Sequence, residues 1–285
     1  MSDFSILLLD KVPGVTSFRS LNEVKKCHRG SKVGHTGTLD KFASGLMIVL
    51  TGEATKLNPL FSGMDKSYRA IIETGRETDT LDPEGEVIRE CPPAEKASLE
   101  AAVSFFQGEI MQRPPVYSAI HVNGKRAYER TRKGEEVLME ARPVTIYRLT
   151  LEEVSGSACK IDTKVSKGTY IRSLARDLSE KAGSCGHLSS LDRYEVGPYT
   201  RADITGINPS IEESEALLSK VCPRHIDFDP SYRKQLVNGF LDRKGIIGAR
   251  PNEDGYYRLR MNDSLAGVVR KEGGHYTIVA LTERD

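Results

Sequence analysis

The sequence lacks a long apolar run, a cysteine framework and an excess of charge of either sign. Its 285 residues carry 41 Lys and Arg against 40 Asp and Glu, a formal net charge of +1. Any nucleic-acid-binding surface must therefore be a local cluster of basic residues. No apolar stretch is long enough to span a membrane, and the N-terminus does not read as a signal sequence. We expect a globular, cytoplasmic protein.

Cysteines are few and scattered. There are five, an odd number, and no two of them form a Cys-x-x-Cys pair; they are Cys27, Cys91, Cys159, Cys185 and Cys222. This pattern predicts reduced thiols, with neither a disulfide framework nor a zinc site. His187 lies close to Cys185 in sequence, but two potential ligands do not make a metal site.

The most informative stretch spans residues 34–50. It reads Gly-His-Thr-Gly-Thr-Leu-Asp over residues 34–40, and the apolar run Leu-Met-Ile-Val-Leu occupies residues 46–50. The glycines predict a tight loop that presents Asp40, and the length of the apolar run predicts a buried strand. Considered alone, Asp40 can cap a helix, bind a metal or act in catalysis, and a local structural role in a turn is the commonest of these.

Strand-like and helix-like segments fill the rest of the chain. A helix is predicted after Ser17 with Phe18, Leu21 and Val24 on one face, and another is predicted to start at residues 167–169. The pattern beyond residue 230 predicts a compact β-rich appendage, with short strands at 246–247, 256–261, 265–269 and 276–281. The basic stretch 121–133 favours a solvated helix face, and a phosphate-contacting surface is the alternative. Further strands are predicted at 4–10, 67–74, 144–151, 159–166 and 188–196.

Several motifs, taken together, resemble the TruB family of pseudouridine synthases over roughly residues 7–196. Their identity, order and spacing carry the resemblance. They are Asp10-Lys11 with Gly14 and Thr16-Ser17, the 34–40 loop, Gly52-Glu53-Ala54-Thr55-Lys56, Lys66-Ser67-Tyr68-Arg69-Ala70, Thr78-Asp79-Thr80 with Asp82, Arg113-Pro114-Pro115-Val116-Tyr117-Ser118-Ala119, and Gly168-Thr169-Tyr170-Ile171-Arg172-Ser173-Leu174.

The resemblance implies an α+β fold with two domains. Residues 1–227 would form a catalytic domain with a central mixed, largely antiparallel sheet flanked by helices. Residues 228–285 would form a small β-rich, RNA-binding domain of the PUA type, with Arg233, Lys234, Arg243 and Lys244 near its start.

The resemblance also implies an activity. A uridine in RNA, most specifically uridine 55 in the T loop of tRNA, would be flipped out, detached from its ribose at N1 and rejoined through C5. No cofactor and no metal would take part. The partner would be the T-arm stem-loop of tRNA, with no membrane and no protein partner required, and the protein would act as a monomer.

Three residues match the catalytic positions of the family. Asp40 would place a carboxylate beside the sugar, and attack on the ribose, addition to the base and removal of a ribose proton all remain open. Arg172 would keep that carboxylate charged, although its position also suits an arginine on a helix surface. Tyr68 would stack on the flipped base and handle the C5 proton; a core tyrosine is the alternative.

Four further positions match substrate-binding residues of the family, and a fifth residue, Asp82, belongs to one of its motifs. His35 would stack within the opened RNA loop or else fix its own loop. Tyr170 would line the pocket and Leu191 would pack on the base. Lys11 would contact either the active-site region or phosphate. Asp82 would either place RNA or hold its loop.

Two other functions remain open at this point. One is an RNA-binding or tRNA-folding protein whose catalysis is secondary, suggested by the basic stretch and the β-rich tail. The other is a guide-RNA-dependent modifier of ribosomal RNA, which the short chain makes less favoured.

Overall fold

The computed structural model describes residues 3–118, 121–122, 125–126, 139–237 and 251–282. Within these ranges, no helix is both long and apolar enough to cross a membrane. The strands are β1 Phe4–Lys11, β2 Val33–His35, β3 Ser44–Gly52, β4 Lys66–Thr74, β5 Arg76–Thr78, β6 Val87–Glu90, β7 Gly108–Gln112, β8 His121–Val122, β9 Lys125–Arg126, β10 Arg142–Ser155, β11 Ala158–Val165, β12 Gly186–Val196, β13 Tyr199–Thr200, β14 His225–Asp227, β15 Gly255–Met261, β16 Ser264–Glu272 and β17 His275–Leu281. The α-helices are α1 Asn22–Cys27, α2 Asn58–Ser62, α3 Lys96–Val103, α4 Ile171–Lys181, α5 Ile211–Ser219 and α6 Arg233–Val237. Short 3-10 turns occupy Arg19–Leu21, Glu53–Leu57, Ser104–Phe106, Arg201–Asp203 and Pro230–Tyr232.

The chain forms two compact units. The first unit comprises Met1–Lys41, Gly45–Gly63 and Gly197–Asp285, and the second comprises Phe42–Ser44 and Met64–Val196. The chain therefore passes from the first unit to the second immediately after Lys41.

In the second unit, an antiparallel sheet has the strand order β12-β4-β11-β10-β7. Side chains along β4 alternate in burial: Tyr68, Ala70 and Ile72 are buried, whereas Arg69 and Ile71 are exposed. This alternation is expected of a strand with one covered face.

Helix α4 has the amphipathic pattern that its sequence predicts. Ile171, Leu174 and Leu178 are buried, and the chain turns at Gly183 with a φ of +80°. A positive φ is readily adopted by glycine, which explains why the helix ends there. The predictions of this helix and of the strands at 67–74, 144–151, 159–166 and 188–196 are confirmed.

In the first unit, β3 is flanked by strands on both edges. It pairs along its whole length with β1, from Phe4 opposite Gly52 to Lys11 opposite Gly45. It also pairs with β2, where Val33 lies opposite Thr51. Residues 46–50 are all buried, so the predicted buried strand is confirmed.

A separate four-stranded sheet in the first unit has the order β14-β15-β16-β17. Its first pair is parallel and the others are antiparallel. The strands predicted within residues 256–281 are confirmed, whereas the prediction at residues 246–247 lies outside the described residues. The fold is thus α+β, and the small C-terminal sheet is consistent with a PUA-like domain. The domain boundary at residue 228 stays a prediction.

The expectation that all the cysteines are reduced thiols is wrong. Cys91 and Cys185 form a disulfide with their Cα atoms 5.9 Å apart. The residues are 94 positions apart in sequence, so only the fold brings them together. Burial raises the pKa of the Cys159 and Cys222 thiols to about 11, whereas Cys27 is exposed.

The prediction that Phe18 shares one helix face with Leu21 and Val24 is also wrong. Phe18 is 68% exposed, whereas Leu21 and Val24 are buried. The α-helix begins only at Asn22, and a 3-10 turn precedes it. The predicted helical period therefore does not extend back to Phe18, and its ring points away from the core.

Candidate active site

The Asp40 loop is anchored on both sides of the carboxylate. The Ser17 hydroxyl accepts a hydrogen bond from the Leu39 N–H at 2.9 Å and donates to the Leu39 carbonyl at 2.8 Å. The Lys41 carbonyl accepts from the Gly14 N–H at 2.8 Å. Asp40 itself is half-buried. The residues before and after it are therefore held by the segment that follows β1, which fixes the position of the carboxylate-bearing residue.

Lys11 adds a third anchor to the same loop. Its side chain is buried, and Nζ donates to the carbonyls of Val12 at 3.1 Å and Lys41 at 3.2 Å. A buried ammonium on the loop beside Asp40 supports a role at the active-site region rather than at a surface phosphate.

His35 ends β2 and lies opposite Val49 of β3. It is half-buried, and the next residue, Thr36, donates its N–H to the Ile48 carbonyl at 3.1 Å. The loop therefore leaves the sheet directly after His35. Its role in stacking on RNA stays a prediction.

Tyr68 lies on the covered face of the second unit's sheet. It is 8% exposed, and its strand neighbours are Thr163 on β11 and Arg193 on β12. Leu191 lies opposite Ala70 on the same face and is also buried. The fold thus brings together two predicted substrate-binding residues, Tyr68 and Leu191, and adds a buried arginine that the sequence did not single out.

Lys66, at the start of the same strand, lies near two other cations. Burial, together with the charges of Arg193 and Lys167, lowers the pKa of Lys66 to about 8, while Asp65 opposes the shift. Like charges raise each other's electrostatic energy when water is excluded. The positive charges of Lys66 and Arg193 therefore lie near one another at this end of β4.

Arg172 lies in the first turn of α4, and its side chain is only 6% exposed. Its guanidinium donates to the Thr80 carbonyl at 2.8 Å, to the Asp82 carboxylate at 3.2 Å and to the Tyr117 carbonyl at 3.0 Å. An arginine on the helix surface is therefore excluded. The residues that hold it come from two remote motifs of the sequence, those at 78–82 and 113–119.

Asp82 holds both its own loop and Arg172. One carboxylate oxygen accepts from the Thr80 hydroxyl at 2.7 Å and from the Glu84 N–H at 3.0 Å, and the other accepts from Arg172. The preceding residue, Leu81, has a φ of +61°, which is unfavourable for a branched side chain. Of the two roles considered for Asp82, the structural one is observed; placing RNA stays a prediction.

Tyr170 precedes α4 and is fixed by a glutamine. The buried amide of Gln112, on β7, accepts from the Tyr170 N–H at 2.8 Å and donates to the Tyr170 carbonyl at 3.1 Å. Sequence analysis missed Gln112, because the stretch around it has no hydrophobic period. A buried amide needs partners, and here it orients the backbone of a predicted pocket residue.

The predicted residues fall into two groups, one in each unit. Asp40, Lys11 and His35 lie in the first unit; Tyr68, Tyr170, Arg172 and Leu191 lie in the second. The predicted pairing of Asp40 with Arg172 stays a prediction. In the part of the chain that the structure describes, no group of three or more His, Cys, Asp or Glu side chains is arranged to hold a metal.

A family model and several relatives of known name place this chain in the same family. Residues 25–171 match the family model described as TruB family pseudouridylate synthase (N terminal domain). Three relatives are each named tRNA pseudouridine synthase B. The Treponema denticola protein is 41% identical over 71% of this chain, and the match spans 62% of that relative. The Zymomonas mobilis protein is 43% identical over 74% of this chain and 71% of its own length. The Bordetella avium protein is 43% identical over 68% of this chain and 82% of its own length.

Solved structures share the fold. A chain of an H/ACA RNP bound to a substrate RNA containing 2′-deoxyuridine aligns with a TM-score of 0.65 and 20% identity, covering 99% of this chain and 86% of that chain. A chain of an archaeal box H/ACA sRNP aligns with a TM-score of 0.66 and 18% identity, covering 99% and 88%.

Proposed function

Since the chain belongs to the TruB family of pseudouridylate synthases, we propose that it converts uridine to pseudouridine in tRNA, most specifically uridine 55 of the T loop. The matched region includes the Asp40 loop, Tyr68 and Tyr170. The observation that carries the proposal is the anchoring of this loop, in which the residues on both sides of a half-buried carboxylate are held by Ser17, Gly14 and Lys11.

The proposed reaction is an isomerisation that needs no oxidant or reductant. The bond between N1 and C1′ breaks, the base rotates, and a bond forms between C5 and C1′. The proton on C5 is lost, and N1 gains a proton. The target base must first leave the RNA stack to reach the enzyme.

The residues divide this work between them in the proposal. Asp40 supplies the carboxylate beside the ribose, and attack on the sugar, addition to the base and removal of a ribose proton remain its alternative steps. Tyr68 offers its ring to the flipped base and its hydroxyl to the C5 proton, and Leu191 packs on the base. The burial of both side chains on one sheet face supports these roles, because a flipped base needs a dry, flat neighbour.

Arg172 would stabilise the charge of Asp40, and Tyr170 would line the pocket. The buried hydrogen bonds of Arg172 and the clamp of Gln112 on the Tyr170 backbone support both roles, since preorganised groups need little rearrangement during reaction. We further propose that the protein acts as a monomer in the cytoplasm, on the T arm of tRNA, without a protein partner or guide RNA.

The test is release of tritium from a transcribed tRNA labelled at C5 of uridine. Purified protein alone should release it, a transcript with cytidine at position 55 should release none, and Asp40→Asn should be inactive. Asp227→Asn, an exposed aspartate on β14, is the matched control and should remain active. No release above the Asp40→Asn background would refute the proposed activity. Release only when guide RNA is supplied would instead identify a guided modifier.

A further inference from the structure

Two exposed apolar side chains and one half-buried lysine flank the segment that anchors the Asp40 loop; we call them the Phe18 rim: Val12, Phe18 and Lys25. Val12 is 61% exposed and Phe18 is 68% exposed. The Lys25 ammonium lies over the Phe18 ring, 3.3 Å from its centroid. A large apolar ring kept in water by a fold with a well-formed core marks a binding surface when it is backed by other features.

The rim is tied to the loop that carries Asp40. Between Val12 and Phe18, Gly14 donates its N–H to the Lys41 carbonyl, and the Ser17 hydroxyl bonds both the N–H and the carbonyl of Leu39. Phe18 directly follows one of these anchors. The rim and the residues on both sides of Asp40 therefore belong to one hydrogen-bonded assembly within the first unit.

The charge around the rim suits a polyanion. Arg19, Lys26 and Arg29 are exposed near Lys25 in sequence, and the acidic residue among them, Glu23, accepts a hydrogen bond from Lys26 at 2.7 Å. An aromatic ring within a basic surface is the combination by which proteins hold unpaired nucleotides: the ring stacks on a base, and the cations neutralise phosphate.

We propose that the Phe18 rim binds the RNA substrate next to the target uridine, with the Phe18 ring stacked on an unpaired nucleobase and Lys25 contacting the adjacent phosphate. This assignment rests on the proposed function and extends it, because it names a substrate contact outside the loop of Asp40 and the face of Tyr68. The stacking would hold the RNA in register before the base is flipped.

The test compares Phe18→Ala with a matched control. Phe105→Ala removes a ring that is 61% exposed and has the Lys181 ammonium 3.8 Å from its centroid, but belongs to the second unit. In the inactive Asp40→Asn background, Phe18→Ala should weaken tRNA binding by roughly 5- to 100-fold, the range for loss of one stacked base. Phe18→Leu should show most of this loss, because it keeps apolar area without a flat ring. Phe105→Ala should bind like the parent protein.

Kinetics separate this contact from a catalytic role. In the active protein, Phe18→Ala should raise KM by a similar factor and leave kcat at saturating tRNA within about twofold. Lys25→Gln should reduce the slope of the logarithm of the binding constant against the logarithm of salt concentration by roughly one, the effect of releasing one counterion fewer. Unchanged binding and KM in Phe18→Ala, or an equal loss in Phe105→Ala, would overturn the proposal. Conversion of a dimer to a monomer by Phe18→Ala, with tRNA binding intact, would also overturn it. Since wild-type tritium release is measured separately, failure of the rim proposal is distinguishable from failure of the proposed function.

Discussion

The buried pair of Arg172 and Asp82 offers the sharpest test of how the site is held. Their side chains are 6% and 9% exposed, and the oxygen of Asp82 that does not meet Arg172 is occupied by Thr80 and Glu84. Replacing Asp82 by Ala removes a carboxylate from a buried guanidinium that also donates to the carbonyls of Thr80 and Tyr117. Breaking a buried pair from one side typically costs about 3–5 kcal/mol, so we expect the free energy of unfolding to fall by that amount.

The double variant distinguishes a paired charge from two separate structural residues. Arg172→Met also removes one partner, so it should be destabilising by itself. Combined with Asp82→Ala, however, neither charge of the pair remains. The loss of unfolding free energy in the double variant should therefore be smaller than the sum of the losses in the two single variants, by about 1–3 kcal/mol. The measurement is denaturation by urea for all four proteins of the cycle.

The same cycle carries its own controls. Asp82→Asn keeps the shape of the side chain and the acceptor for the Thr80 hydroxyl, but removes the charge. Comparing its loss of unfolding free energy with that of Asp82→Ala therefore separates the contribution of the loop contacts from that of the charge. Glu84 contacts Asp82 through its backbone N–H, which Glu84→Ala retains. This variant should therefore leave the free energy of unfolding nearly unchanged. If the losses in the two single variants add up to the loss in the double variant within about 0.5 kcal/mol, the pairing argument is refuted.

Three further predictions follow from charge and covalent links. The pKa of Lys66 is lowered from 10.5 to about 8, so the unfolded chain binds more protons than the folded chain between these pH values. The free energy of unfolding should therefore rise with pH across this interval, and by more in wild type than in Lys66→Met. Denaturation at each pH measures this difference. The Cys91–Cys185 disulfide spans 94 positions, so its loss should cost up to about 4–5 kcal/mol; a thiol reductant should lower the wild-type denaturation midpoint and not that of Cys91→Ser. Affinity for tRNA should fall steeply as salt rises, and affinity indifferent to salt would contradict an interface dominated by phosphate contacts.

Local pattern was sufficient to predict the elements with a strong period. The apolar run at 46–50 gives the central part of β3, and the spacing of Ile171, Leu174 and Leu178 gives α4. In each case the residues that define the period are also those that the fold buries. Phe18 shows the limit, since a helical period extended back to it ignores the 3-10 turn before Asn22.

Contacts between segments that are far apart in the chain could not be predicted from the sequence. Cys91 and Cys185 show no motif, because their proximity depends on the arrangement of strands far apart in the chain. Gln112 likewise has no local signal for its bidentate contact with Tyr170. The resemblance names the candidate residues of the site, but not the backbone groups that hold them.

The charge balance of the proposed site follows from these contacts. Arg172, which is expected to keep Asp40 ionised, is itself held by a carboxylate, since its guanidinium is paired with Asp82. The buried ammonium of Lys11 donates to two carbonyls, one of them on Lys41, the residue next to Asp40. A nearby positive charge favours the ionised form of a carboxylate. We therefore expect Lys11 as well as Arg172 to contribute to holding Asp40 negative.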